Sequence, residues 1–371
     1  MKIPLLDLRA QLESIRNEVI PALLSVVESQ QFIMGEEVGT LEAEVARLSQ
    51  ARFAIGCASG TDALLLSLKA LDLQPGDEVI TTTFTFFATA GAIHNAGGRP
   101  VFVDIEPTSF NLDLEQVAAS ITRRTRAIVP VHLFGQMAPM EPLLQLASRH
   151  RLAVIEDAAQ AIGARQLVSG TWRAAGALGT TGAFSFFPSK NLGGWGDGGM
   201  IVTQDPQLDQ RLRKLRTHGG AKEYDHEEVG YNSRLDTIQA AILLVKLAHL
   251  AEWNAARRSR AACYTDGLSD IPGVKPPRVD ATNEHTFHQY TIRAERRDAL
   301  QAHLKSRDIS SKVYYPKPLH QQSCFGYLGY APGRFPQSER ASREVLSLPV
   351  YPELSDAACE EVIDTIAEFY R

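Results

Sequence analysis

Residues 152–160 read Leu-Ala-Val-Ile-Glu-Asp-Ala-Ala-Gln, and the reading of this stretch decides the fold. Ala153-Val154-Ile155 is apolar at consecutive positions, so the strand it predicts is covered on both faces. Such strands belong to parallel sheets with helices on either side. Two acids, Glu156 and Asp157, follow at once. Ligands of these sheets bind beyond the carboxyl ends of the strands. A carboxylate buried there needs a partner to offset its desolvation. A protonated ring nitrogen would serve Asp157 in this way. Asp157 and Gln160 also suit a helix-capping box.

Working outward, the alternation continues. Strands are predicted at 54–58, 78–82, 100–104 and 127–131, between helices at 63–71, 88–96, 114–121 and 140–150. Pro75-Gly76-Asp77 marks a turn. Residues 13–50 read as helical on the spacing of Ile15, Val19, Leu23 and Val26. Downstream, 200–203 reads as a strand. Leu235, Ile238, Ile242 and Val245 line one face of a long helix over 235–258, a stripe that suits core packing. A loop rich in Pro, Tyr and Gly runs from Tyr314 to Pro336. The fold class is α/β. A large domain over 1–245, with a mostly parallel central sheet flanked by helices, precedes a smaller C-terminal α/β domain over 246–371.

Composition removes several functions. The formal net charge is -5, without the basic excess of a nucleic-acid binder. Cys57, Cys263, Cys324 and Cys359 form no CxxC pair, which argues against a zinc knuckle or redox motif and for reduced thiols. Asp7 and Arg9 interrupt the first apolar run too early for a signal peptide, and no stretch approaches the ~20 apolar residues of a membrane helix. The expected location is the cytoplasm.

Four features can carry chemistry. Ser59-Gly60-Thr61-Asp62 lies between a predicted strand and helix, where free backbone N–H groups suit a phosphate or a plain N-cap. Thr83-Phe84-Thr85-Phe86-Phe87 offers aromatic rings for a flat cofactor or for core packing. Asp157 is the third. The fourth is Ser185-Phe186-Phe187-Pro188-Ser189-Lys190-Asn191-Leu192-Gly193-Gly194, a lysine between an aromatic run and glycines. A buried lysine has a depressed pKa, the condition for Schiff-base chemistry. Gly194-Trp195-Gly196-Asp197-Gly198-Gly199 leads into a strand, which excludes a dinucleotide loop.

Taken in order, these motifs resemble the DegT-type nucleotide-sugar aminotransferases, fold-type I enzymes that depend on pyridoxal 5'-phosphate (PLP). Gly230-Tyr231-Asn232-Ser233-Arg234-Leu235-Asp236 and Tyr315-Pro316-Lys317-Pro318-Leu319-His320 extend the match over nearly the whole chain. The resemblance implies that Lys190 carries PLP and moves the proton. It places Asp157 on the ring nitrogen, Gln160 beside the ring hydroxyl and Phe86 on the ring face. Gly60, Thr61 and Ser185 would hold the phosphate. Asn232 would reach the phosphate of a second subunit's cofactor, which implies a homodimer with shared sites. Arg234, Tyr315 and His320 would face the sugar nucleotide.

The implied reaction is transamination of a keto-hexose on UDP or dTDP, with the 3-keto position favoured over the 4-keto. L-Glutamate is the expected donor. Cell-surface polysaccharide or natural-product sugars are the expected destinations. Cyclitol aminotransferases are close alternatives. Sugar dehydratases of the family hold histidine at the lysine position, so Lys190 argues against them. No metal, nucleic acid or membrane partner is expected.

Overall fold

The computed structural model describes residues 2–222 and 224–371. Its helices are α1 (Leu8–Ser29), α2 (Glu36–Leu48), α3 (Gly60–Lys69), α4 (Phe87–Asn95), α5 (Leu114–Ser120), α6 (Met140–His150), α7 (Pro206–Leu215), α8 (Thr237–Leu268), α9 (Arg297–Ser306), α10 (Pro336–Glu344) and α11 (Asp356–Tyr370). The strands of the main sheet are β1 (Phe53–Cys57), β2 (Glu78–Thr82), β3 (Arg99–Val103), β4 (Thr125–Val129), β5 (Ala153–Asp157), β8 (Thr181–Ser185) and β9 (Gly199–Thr203), with a side ribbon of β6 (Arg165–Val168) and β7 (Thr171–Ala174). Short strands β10 (Gly220–Lys222), β11 (Asp225–His226), β12 (Val274–Lys275) and β13 (Asn283–Glu284) precede β14 (Tyr290–Ala294) and β15 (Val345–Leu348).

The main sheet has the order β1-β9-β8-β5-β4-β2-β3. Only β9 runs against its neighbours, so the sheet is mostly parallel, as expected. The run that predicted two covered faces behaves so: Val154 packs into the core on one side and Ile155 into the core on the other. Both side chains are almost fully buried. Ile155→Ala should therefore lower unfolding free energy by about 2–5 kcal/mol, read from denaturant melts.

The expected helix over 13–50 is two helices. Gln30 ends α1 with a left-handed backbone (φ 56°), and Met34 repeats that conformation (φ 56°) before Gly35 caps α2. Asp7 starts α1 by accepting the Arg9 and Ala10 N–H groups, each at 3.0 Å. The long helix begins at Thr237 and continues ten residues beyond the expected end, to Leu268. It runs unbroken through residue 245. Ala240, Leu243 and Leu250 pack on the sheet's core, whereas Ala261, Tyr264 and Leu268 join a second core with Ile292, Leu346 and Val362. That second core covers the antiparallel sheet β12-β14-β15. All four cysteines are free thiols. Among the described residues, no helix is long and apolar enough to cross a membrane, and no His/Cys/Asp/Glu group could hold a metal.

Candidate active site

The carboxyl ends of β1, β5 and β8 bring three of the four sequence features to one region. At the end of β1, Ser59 caps α3: its Oγ accepts the Asp62 N–H at 3.0 Å and its carbonyl accepts the Ala63 N–H at 2.9 Å. The N–H groups of Gly60 and Thr61 open the helix and have no intrahelical acceptor. Ser185 ends β8 against them. A Cβ on Gly60 would lie 2.5 Å from the Ser185 Cβ, so glycine is needed for this approach. Two backbone N–H groups, a serine hydroxyl and the positive end of α3 thus meet in one concavity, which suits a phosphate.

Glu156 and Asp157 are neighbours on β5 with different fates, because successive strand residues point to opposite faces. Glu156 is fully buried in structure. It accepts the N–H groups of Gly176 (2.8 Å), Leu178 (2.7 Å) and Gly179 (2.6 Å). His132 Nδ1 accepts the Ala138 N–H at 3.1 Å, so its proton lies on Nε2, which donates to Glu156 at 2.8 Å. Asp157 instead receives Thr89 Oγ1 at 2.7 Å on one oxygen and the Ala159 N–H at 3.3 Å on the other. Thr85 Oγ1 lies 3.2 Å from Thr89 Oγ1 and steadies it. Burial pushes the Asp157 pKa up, opposed by Thr89, Ala159 and the charges of Lys190 and His132. Such a carboxylate gains most from a buried cation.

Lys190 sits in the loop after β8. The loop closes on itself through Lys190 N–H to Phe187 O and Gly194 N–H to Phe186 O, both at 2.8 Å. A Cβ on Gly193 would run into the Pro188 carbonyl, so the second glycine permits the closure. Burial brings the Lys190 pKa down to about 8, and the charge of Asp157 pulls it back up. A minority of this amine, far more than of an ordinary lysine, is then neutral and nucleophilic near physiological pH. Phosphate cradle, buried acid and softened lysine together fit a phosphorylated pyridine aldehyde.

The remaining predicted residues divide. Gln160 accepts the Phe134 N–H at 2.7 Å and donates to the Tyr315 hydroxyl at 3.0 Å, leaving one Nε2 hydrogen. Burial pushes the Tyr315 pKa up, which keeps its hydroxyl protonated. Phe86 is 58% exposed, its ring centroid 6.3 Å from that of Tyr315. His320 is buried, with Nδ1 at 2.8 Å from Thr83 Oγ1 and Nε2 at 3.1 Å from Glu339 Oε1. A sugar contact from this ring would have to replace one of those bonds. Asn232 is exposed, in a loop tied to the start of α3 by Ser233 Oγ donating to Asp62 at 2.6 Å. Arg234 lines a separate surface cavity of about 710 Å³ with Tyr224 and His226. Neither Lys190 nor Asp157 lines that cavity.

Sequence reading missed Thr89, Asn191 and His288. Asn191 Oδ1 lies 3.2 Å from His288 Nδ1, and burial, with Lys190 and Arg257 adding to it, holds the His288 pKa well down. Their partners are far away in the chain, and no local spacing marks them.

Comparison with known proteins agrees with this geometry. Residues 13–367 match the DegT/DnrJ/EryC1/StrS aminotransferase family. The chain is 52% identical to a "Pleiotropic regulatory protein" of Geobacillus stearothermophilus, over 100% of this chain and 99% of that one. It is 46% identical to a UDP-N-acetyl-3-dehydro-alpha-D-glucosamine 3-aminotransferase of Acidithiobacillus ferrooxidans, over 100% and 97%. The crystal structure of S. venezuelae DesV in complex with a ketimine intermediate superposes with a TM-score of 0.97 at 43% identity, covering 100% of this chain and 99% of that one. The chain belongs to the DegT/DnrJ/EryC1/StrS aminotransferase family, whose members depend on PLP.

Proposed function

We propose that this protein is a PLP-dependent aminotransferase that aminates a 3-keto hexose carried on UDP or dTDP, with L-glutamate as donor. The observation that carries the reading is the convergence at the strand ends of the close Gly60–Ser185 approach, the buried Asp157 carboxylate held by Thr89, and the Lys190 loop whose charge acts on Asp157. The substrate class rests on relatives named as 3-amino-sugar transaminases of both nucleotide types.

When bound, PLP supplies an electron sink for charge at the substrate carbon. The chain's residues do the rest. Lys190 Nζ would hold the cofactor and, as a free amine, would carry a proton to and from the reacting carbon. Asp157, oriented by Thr89, holds a proton on the ring nitrogen. Gly60, Thr61 and Ser185 anchor the phosphate. Phe86 covers the ring face against water, and Gln160 orients the ring hydroxyl. Tyr315 and Arg234 serve the sugar nucleotide, Arg234 from a second subunit; His320 would join them only by giving up its bond to Thr83 or Glu339.

Only a neutral amine attacks the aldehyde, so the rate at which cofactor-free protein takes up PLP should rise with pH through about 8 and then level. Stopped-flow absorbance measures it; a rate flat across that range would place the pKa elsewhere.

A homodimer with shared sites makes a further claim. Lys190→Ala and Asn232→Ala, each inactive, should recover about a quarter of wild-type activity when their subunits are exchanged, because half of the dimers are hybrids with one intact site. No recovery despite exchange would contradict sharing.

The name of the Geobacillus relative favours a second reading, a regulator. Supplying L-glutamate with UDP- and dTDP-linked 3-keto sugars separates the two. Formation of 2-oxoglutarate supports the aminotransferase; none from any of these acceptors contradicts the proposed substrate class. A 4-keto sugar or cyclitol turned over in preference would move the assignment within the family.

A further inference from the structure

The residues that hold Lys190 in place have no part in the steps above. Asn191, next in the chain and buried, donates Nδ2 to Asn254 Oδ1 at 2.8 Å and to the Thr286 carbonyl at 3.0 Å. Asn254 lies on α8 and is itself buried. It donates Nδ2 to the Ile162 carbonyl at 3.2 Å. Ile162 lies in the turn that follows Asp157 and carries Gln160.

One side chain therefore touches both limbs of the site. The strands β5 and β8 are paired as far as Asp157 and Ala183. The Ala158 N–H still reaches the Ala183 carbonyl at 2.9 Å, but the β5–β8 ladder pairs no residue of 159–163 with 186–194, so it does not set their spacing. Asn254 spans that gap. The fit is close: a Cβ on Gly163 would lie 2.7 Å from Asn254 Nδ2. Burying two amides is costly unless their hydrogen bonds are made. An apolar pair would fill the volume without that cost, so what this position supplies is the bonds.

We propose that Asn254 is a positioning residue that, through Asn191 and Ile162, fixes the Lys190 amine relative to the Asp157 carboxylate. The inference rests on Lys190 being the cofactor lysine. Asp157 from β5 and His288 from the loop before β14 are the titratable groups coupled to that amine. Neither is hydrogen-bonded to Asn254, whose bonds go to Asn191 and Ile162, so its removal acts on Lys190 by loosening the loop and admitting water. Water relieves the desolvation that lowers the Lys190 pKa, so the titration should move upward, toward ordinary lysine.

The test is competitive acylation of cofactor-free protein as a function of pH, with the Lys190 peptide read by mass spectrometry. Wild type should titrate near 8. Asn254→Ala and the neutral, similarly shaped Asn254→Leu should titrate higher. After PLP loading, kcat should fall about 10- to 100-fold with donor KM little changed. Leu250→Ala, buried on the same helix, should lower stability and leave the Lys190 titration in place. Should Asn254→Ala fail to fold, Asn254→Leu carries the comparison, since it fills the same volume without adding a charge. Titrations unchanged in the folded Asn254 variants overturn the inference, as does an equal shift in Leu250→Ala. A wild type that never takes up PLP overturns the functional reading and this inference with it; unchanged titrations in a wild type that does take it up overturn the inference alone.

Discussion

Lys190→Ala is expected to bind PLP and the sugar nucleotide yet to lose turnover by a factor on the order of 10⁴ or more, the scale of a lost proton-transfer group acting also as the attachment point. The loss should appear in kcat, since Gly60, Thr61 and Ser185, proposed to hold the phosphate, are untouched. Lys190→Arg should be as inactive: its guanidinium stays protonated, so it is neither nucleophile nor base. Single-turnover assays with glutamate test this. Retained transamination in either variant would mean that another amine does the work. Lys246 is the candidate to examine, since burial brings its pKa to about 8 as well. Its Nζ, however, is engaged, donating to the Gly193 carbonyl at 2.7 Å.

Asp157→Asn should cost about 10²–10³ in kcat, the range for losing one preorganised electrostatic contact. The amide keeps the shape and can still accept from Thr89. It cannot hold a proton on the ring nitrogen, so charge at the reacting carbon is less well absorbed. Thr89→Val should act in the same direction, by about tenfold, because the carboxylate loses its 2.7 Å donor and is left less well oriented. The sign for Lys190 also follows. Asp157 raises the Lys190 pKa against a larger desolvation effect, so Asp157→Asn should lower it below about 8. Cofactor uptake would then begin to rise at lower pH than in wild type, even as turnover falls.

Much of this was legible in the sequence because it depends on short-range chemistry. An apolar triplet followed by acids marks a covered parallel strand and its ligand end. The strand-to-helix turn at Ser59-Gly60 was legible as an N-cap, which the structure has, or as a phosphate site, which is proposed. What was not legible depends on register and distance. Glu156 and Asp157 are chemically alike, and only the pleat of β5 decides which meets His132 and which meets Thr89. The break after α1 uses left-handed Gln30 and Met34, residues that do not advertise that backbone. His320 was expected to face the sugar; its motif could not reveal that Thr83 and Glu339, far from it in sequence or on a later helix, would occupy both ring nitrogens. Asn254 reads as one more polar residue in a helix until Asn191 and Ile162 are seen on either side of it.

The most direct measurement is borohydride reduction of the PLP-loaded protein followed by peptide mass spectrometry. The account predicts a yellow protein whose visible band is lost on reduction, with one pyridoxyl phosphate group fixed on the peptide containing Lys190. A protein that stays colourless with added PLP, or a label fixed on any other lysine, would contradict it.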